Sequence, residues 1–103
     1  MKIIEIKNKD EFEKEVLKSS EPVLVDFNAD WCGPCQMLKP TMESIASDGI
    51  KVVSVNTDLN EELSLSYGVM SIPCIVYFKD GKEIKRTIGL QSKDDILEIM
   101  KNS

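Results

Sequence analysis

The chain contains no histidine. That excludes a Ser–His–Asp triad, a zinc protease built on paired histidines, and a zinc finger with two cysteines and two histidines. Cysteine is sparse: Cys32, Cys35 and Cys74 are the full set. Three thiols are too few for a four-cysteine zinc site within one chain. They are also an odd and thin set for a secreted disulfide framework. Positive charge is in the minority, with 13 Lys and Arg against 18 Asp and Glu and a net charge of −5. This balance argues against an electrostatic grip on nucleic acid or on an anionic membrane. No apolar run approaches the ~20 residues of a membrane span. The opening Met1-Lys2-Ile3-Ile4-Glu5-Ile6-Lys7 has neither an apolar h-region nor a small-residue cleavage site. A secretory signal is therefore not expected, and a cytoplasmic location is.

What is present is an ordinary globular composition, 42% hydrophobic and 30% charged. The 103 residues suit one domain spanning 1–103. Surface scaling gives roughly 5,800 Å² folded against roughly 17,000 Å² unfolded, so about two-thirds of the chain's surface is buried without staples.

The chain alternates short elements of different type, with no linker or repeat. Lys2 to Ile6 suits a short strand. Asn8 and Glu11 have capping-box spacing ahead of a helix whose stripe is Phe12, Val16 and Leu17, ending near Ser19. Pro22 to Phe27 is a β-branched run interrupted by Asp26 and reads as a buried central strand. A helix beginning within Trp31 to Cys35 and running to about Asp48 carries Leu38, Met42, Ile45 and Ala46 at helical spacing. Pro34 suits its first turn, Pro40 should kink it, and Gly49 suits its C′ position. Lys51 to Asp58 is the next strand, and Asp58 with Glu61 reads as a capping box for a short helix ending at Gly68. Cys74 to Phe78 is a buried strand. The Asp80-Gly81 pair turns the chain into a returning strand with Ile84, Arg86 and Ile88. Ser92 caps a last helix bearing Ile96, Leu97 and Met100. The order is βαβαβαββα, an α/β chain with helices on both faces of a mixed sheet. Strands joined through helices should pair in parallel, and the final hairpin adds an antiparallel edge.

The chemistry resides in Cys32-Gly33-Pro34-Cys35, between a buried strand and a helix. At a helix start, residues i and i+3 share a face, so the two Cβ atoms come within disulfide reach. Unpaired N–H groups and the positive end of the helix dipole stabilise a thiolate there. Cys32, more N-terminal and expected to be more exposed, is the attacking sulfur. Cys35, pointing inward, is the resolving one. A Cys-X-X-Cys also serves as half of a zinc site shared between two chains, or as a plain pair of buried thiols. The strand before it and the helix after it favour redox chemistry.

The stretch from Asp26 to Cys35, Asp-Phe-Asn-Ala-Asp-Trp-Cys-Gly-Pro-Cys, resembles the active-site segment of the thioredoxin family. Ile72-Pro73 resembles that family's cis-proline loop, Phe78 to Gly81 its hairpin, and Gly89 its late glycine. The resemblance covers essentially the whole chain. It implies the thioredoxin fold and a general protein-disulfide reductase without a bound cofactor or metal. It also implies recycling by a thioredoxin reductase, disulfide-containing client proteins as substrates, and a monomer. By the same resemblance, Cys32 attacks the substrate, Cys35 closes a Cys32–Cys35 disulfide, and Asp26 helps to move the Cys35 proton. Trp31, Gly33, Pro34, Ile72, Pro73 and Gly89 form the docking surface. The bland alternatives are a non-catalytic scaffold, an Asp26 that reaches water at a strand end, a Trp31 that merely packs, and a trans Pro73. Proline between the cysteines, with no histidine there, is similar to the reducing members.

Three positions depart from the family pattern. Asn28 stands where tryptophan is usual, Ser54 stands where a lysine partners the buried aspartate, and Cys74 follows Pro73 where threonine is common. Burial of Asp26 without that lysine should raise its pKa. Cys74 reads as a small buried hydrophobe near the dithiol, with no basic neighbour in sequence to activate it and a third redox thiol as the rival reading.

Overall fold

The computed structural model describes residues 2–102. In chain order the elements are β1 (Ile4–Glu5), α1 (Lys9–Phe12) continued by a π-helical turn over Glu13–Leu17, β2 (Val23–Asn28), and α2 (Gly33–Ser47). They are followed by β3 (Lys51–Asn56), α3 (Glu61–Ser66), β4 (Cys74–Lys79), β5 (Lys82–Ile88) and α4 (Lys93–Lys101). The expected order βαβαβαββα is found. Strand β1 is shorter than expected, and β3 stops two residues before Asp58.

Local chemistry accounts for the helix starts. Asn8 Oδ1 accepts the Glu11 N–H at 2.9 Å. Glu11 Oε1 accepts in return from the Lys7 N–H at 2.9 Å, one residue outside the expected box. Ser92 caps α4 as expected, its Oγ accepting from the Asp95 N–H at 3.1 Å. The Asp58 cap is a correction. Helix α3 begins after Asn60 and has no side-chain cap. The carboxylate of Asp58 is drawn away to the indole N–H of Trp31, 2.8 Å distant.

The five strands are ordered β1-β3-β2-β4-β5. Strand β3 runs parallel to both β1 and β2. Strand β4 runs antiparallel to β2, although a helix joins it to β3. This departs from the expectation that helix-joined strands pair in parallel. The segment between β3 and β4 does not return the chain to the far end of the sheet: β4 starts at the end where β3 stopped, with Cys74 opposite Phe27, and runs back along β2. The hairpin to β5 has positive φ at Asp80 (53°) and Gly81 (76°), the primed-turn geometry that Asp-Gly favours. A Cβ on Gly81 would lie 2.6 Å from the Leu17 carbonyl oxygen, so glycine is required there on two counts.

Two apolar layers flank the sheet. Phe12, Val16, Val25, Phe27, Val53, Val55, Cys74, Val76 and Phe78 fill one face under α1 and α3. Leu24, Val52, Ile75 and Tyr77 meet Leu38, Met42, Ile45 and Ile96 of α2 and α4 on the other. On this second face the apolar rows give way, toward the C-terminal ends of β2 and β3, to Asp26, Asn28, Ser54 and Asn56. The accessible surface of 5900 Å² is that of a normally compact chain of this size.

Candidate active site

Helix α2 starts directly under the dithiol. Cys32 is its N-cap, Gly33 and Pro34 form the first turn, and the Cys35 N–H donates to Cys32 Sγ at 3.2 Å. Backbone bonds fix the junction, from the Cys32 N–H to the Ala29 oxygen (3.2 Å) and from the Gln36 N–H to the Cys32 oxygen (3.1 Å). Cys32 and Cys35 are joined as a disulfide, their Cα atoms 5.2 Å apart. The i, i+3 argument thus holds. The expected difference in exposure does not: both residues are 4% exposed. They differ in surroundings instead. Cys32 Sγ meets the helix-start N–H and lies 3.9 Å from the Ile72 carbonyl oxygen. Cys35 lines a cleft together with Asp26.

Ile72 packs against Ala29, Cys32 and Cys35. The Ile72–Pro73 peptide is cis. Pro73 is buried, and its carbonyl accepts the Gly89 N–H at 2.8 Å. Gly89 has φ 98°, a conformation that favours glycine, so the last loop is tied to the proline loop beside the disulfide. Trp31, 72% exposed, and Gly33 and Pro34, also exposed, form the opposite rim. The Trp31 indole is held by Asp58 rather than packed inside. Of the six candidate docking residues, Ile72 packs on the dithiol, Pro73 and Gly89 are joined to it through the proline loop, and Trp31, Gly33 and Pro34 are its neighbours along the chain.

Asp26 is buried at 6% exposure, and its Oδ1 has no hydrogen-bond partner among the described residues. Burial pushes its pKa up to about 7, and the Glu5 charge adds to the rise against an opposing pull from the Asn28 amide. Asp26 is thus largely covered, unlike a strand-end carboxylate standing free in solvent, and it borders a cleft. The cleft beside Asp26 has a volume of about 600 Å³ and is lined by Glu5, Asn28, Asp30, Ser54 and Asn56 as well as Cys35. Asn28 stands in for neither the indole nor the lysine. Its Nδ2 donates to the Asp26 main-chain oxygen at 2.9 Å and to Ser54 Oγ at 2.8 Å. In the sequence Asn28 and Ser54 stand out only as departures, Asp58 only as a helix cap, and Glu5 not at all. The one available signal was that two bulky side chains are missing from facing strands, which implies space.

Cys74 remains a buried thiol. Its side chain enters the apolar layer under α1 and α3, whereas Asp26 lies on the other face of the sheet. Burial raises its pKa. Arg86 opposes this in part, while Glu83 and Asp26 add to it. Arg86 is the basic neighbour that sequence distance concealed, brought close by the β4–β5 hairpin.

Among known proteins, the thioredoxin family model matches residues 3–102. The thioredoxin of Rickettsia bellii is 45% identical over 95 residues, covering 89% of this chain and 90% of that protein. Thioredoxin 1 of Synechococcus elongatus is 51% identical over 85 residues, covering 80% of this chain and 79% of that protein. A solved mutant thioredoxin from Halobacterium salinarum superposes with a TM-score of 0.91 at 33% identity, covering 98% of this chain and 89% of that one. With a family match from one end to the other and the disulfide seated at the start of α2, this chain belongs to the thioredoxin family and is a protein dithiol–disulfide reductase.

Proposed function

We propose that the chain acts as a single domain and a monomer in the cytoplasm, reducing client-protein disulfides and being recycled by a thioredoxin reductase. No helix among the described residues is long and apolar enough to cross a membrane. In the reduced protein the Cys32 thiolate attacks one sulfur of the client disulfide. That S–S bond breaks, a Cys32–client disulfide forms, and the first client thiolate takes up a proton. Cys35 then loses its proton to Asp26 and attacks Cys32 Sγ. The mixed disulfide breaks, the Cys32–Cys35 bond forms, and the second client sulfur leaves as a thiolate that takes up a proton from solvent. Two electrons pass from the protein dithiol to the client.

The observation that carries this division of labour is the pairing of Cys32 Sγ with the Cys35 N–H at the helix start, with Cys35 and Asp26 lining one cleft. The helix-start N–H and dipole favour negative charge on Cys32. A buried carboxyl with a pKa of about 7 suits proton exchange near neutral pH. Trp31, Gly33, Pro34, Ile72, Pro73 and Gly89 make the docking rim, and the Ile72 backbone pairs with an extended client segment. Reduction of insulin tests the proposal. Wild-type protein with a dithiol donor should precipitate the insulin B chain, and Cys32→Ser and Cys35→Ser should each abolish turnover. Turnover by either variant at the wild-type rate would refute it.

A further inference from the structure

Asp26 stands at the end of a row. The register pairs Glu5 of β1 with Ser54 of β3, and Ser54 with Asp26 of β2. Residues paired in this way share a face, so carboxylate, hydroxyl and carboxylate lie side by side at about 4.8 Å per strand. All three line the same cleft.

The hydrogen-bond inventory of this row is informative. An amide nitrogen has two hydrogens, and those of Asn28 go to the Asp26 main-chain oxygen and to Ser54 Oγ. Ser54 therefore accepts from Asn28 and keeps its own hydrogen to give. On one side of it is Asp26 Oδ1, a buried acceptor with no partner among the described residues. On the other is Glu5, which is exposed. A spacing of one strand is what a single water bridges.

We propose that Ser54 and Glu5 form a proton outlet for Asp26, with Asn28 as the positioning residue that orients the Ser54 hydroxyl. The inference rests on the reading that Asp26 receives the Cys35 proton. In the relay, protonated Asp26 gives its proton toward Ser54 Oγ, and Ser54 passes its own hydrogen on to the Glu5 carboxylate. Glu5 then releases a proton to solvent. One proton crosses per turnover, no electrons move in the relay, and every group returns to its starting form.

The other charged and titratable groups facing Asp26 are Lys7 after β1, Asp30 after β2, and Cys35 and Lys39 on α2. Its neighbours on β3 and β4 on this face, Asn56 and Ile75, carry no charge. Cys74, on the far face of β4, also feels the Asp26 charge.

The test uses the full chain with Ser54→Ala, Ser54→Thr and Glu5→Gln. The rate of the resolving step is followed with a peptide disulfide across pH, at low buffer and with added imidazole. A blocked outlet should slow resolution by about a hundredfold in low buffer, the lower end of a general acid–base contribution. Imidazole, carrying the proton itself, should restore the rate. Ser54→Thr, which keeps the hydroxyl, should behave as wild type. Glu5→Gln should also move the acid limb of the pH profile downward, because a like charge near Asp26 is gone. Unchanged rates in Ser54→Ala and Glu5→Gln, or slow rates that imidazole does not rescue, overturn the outlet. Glu5 is exposed, so its variant keeps the question answerable if Ser54→Ala folds poorly. If wild-type protein itself fails to reduce the peptide, the functional reading fails instead.

Discussion

Asp26 decides the pH behaviour of this protein. Its pKa of about 7 in the folded chain lies above the ordinary 3.8 of an exposed aspartate, mainly through burial. A carboxyl raised by folding binds more protons folded than unfolded. Its contribution to stability therefore falls as pH rises from about 4 to about 7 and is flat above. A rise from 3.8 to about 7 sets an upper scale of ~4 kcal/mol. Asp26→Asn, which removes the charge and nearly keeps the shape, should stabilise the chain by about 2–4 kcal/mol at pH 8 and by little near pH 4. It should also slow disulfide exchange. Urea melts of both proteins at the two pH values check this, and a stability gap that does not grow with pH contradicts it. Cys74 makes a simpler case. Its side chain is buried in apolar surroundings across the sheet from Asp26, with a raised pKa. Cys74→Ala should keep most reductase activity and cost about 1–2 kcal/mol, a typical small-cavity loss. Peptide mapping of mildly oxidised wild type should show no Cys74 linkage to Cys32 or Cys35.

Element by element, most of the fold is legible in the sequence. The Asn8 and Ser92 caps, the stripe of α2, Gly49 at its end and the Asp-Gly turn are local signals, and each lies where its chemistry places it. Asn8→Ala should cost about 1 kcal/mol in a urea melt through loss of the cap. Gly81→Ala should cost more than ~1 kcal/mol, since its φ of 76° and the 2.6 Å approach to the Leu17 oxygen both oppose a Cβ. The misreadings share one cause. Asp58 has the spacing of a helix cap, but Trp31, 27 residues away, takes its carboxylate. The direction of β4 depends on where the whole segment after β3 returns to the sheet, and the charge of Arg86 reaches Cys74 through the hairpin register. Sequence spacing does not report such long-range competition. The cleft is of the same kind. Asn28 and Ser54 are each visible as substitutions, yet the cleft that they line belongs to two paired strands and the helix above.

At the scale of the whole molecule, the two ends of the sheet are guarded in different ways. One edge strand, β1, has only two residues. The other, β5, carries Lys82, Glu83 and Lys85 and bends where its pairing with Tyr77 and Phe78 slips by a residue. Short, charged or irregular edges resist strand addition. Sedimentation should therefore give one species near 11.6 kDa. The fold holds one covered disulfide at a helix start, with Cys32 Sγ near the Ile72 carbonyl and Cys35 lining the Asp26 cleft, and the proposal makes Cys32 the attacking sulfur and Cys35 the resolving one. The most direct measurement of that claim is trapping with single-cysteine variants. Reduced Cys35→Ser and Cys32→Ser are each mixed with a disulfide-containing client, quenched in acid and weighed by intact mass spectrometry. The account predicts a covalent Cys32–client adduct that accumulates in Cys35→Ser and is nearly absent in Cys32→Ser. Adduct accumulating instead on Cys35 of the Cys32→Ser protein would reverse the assignment of the two sulfurs.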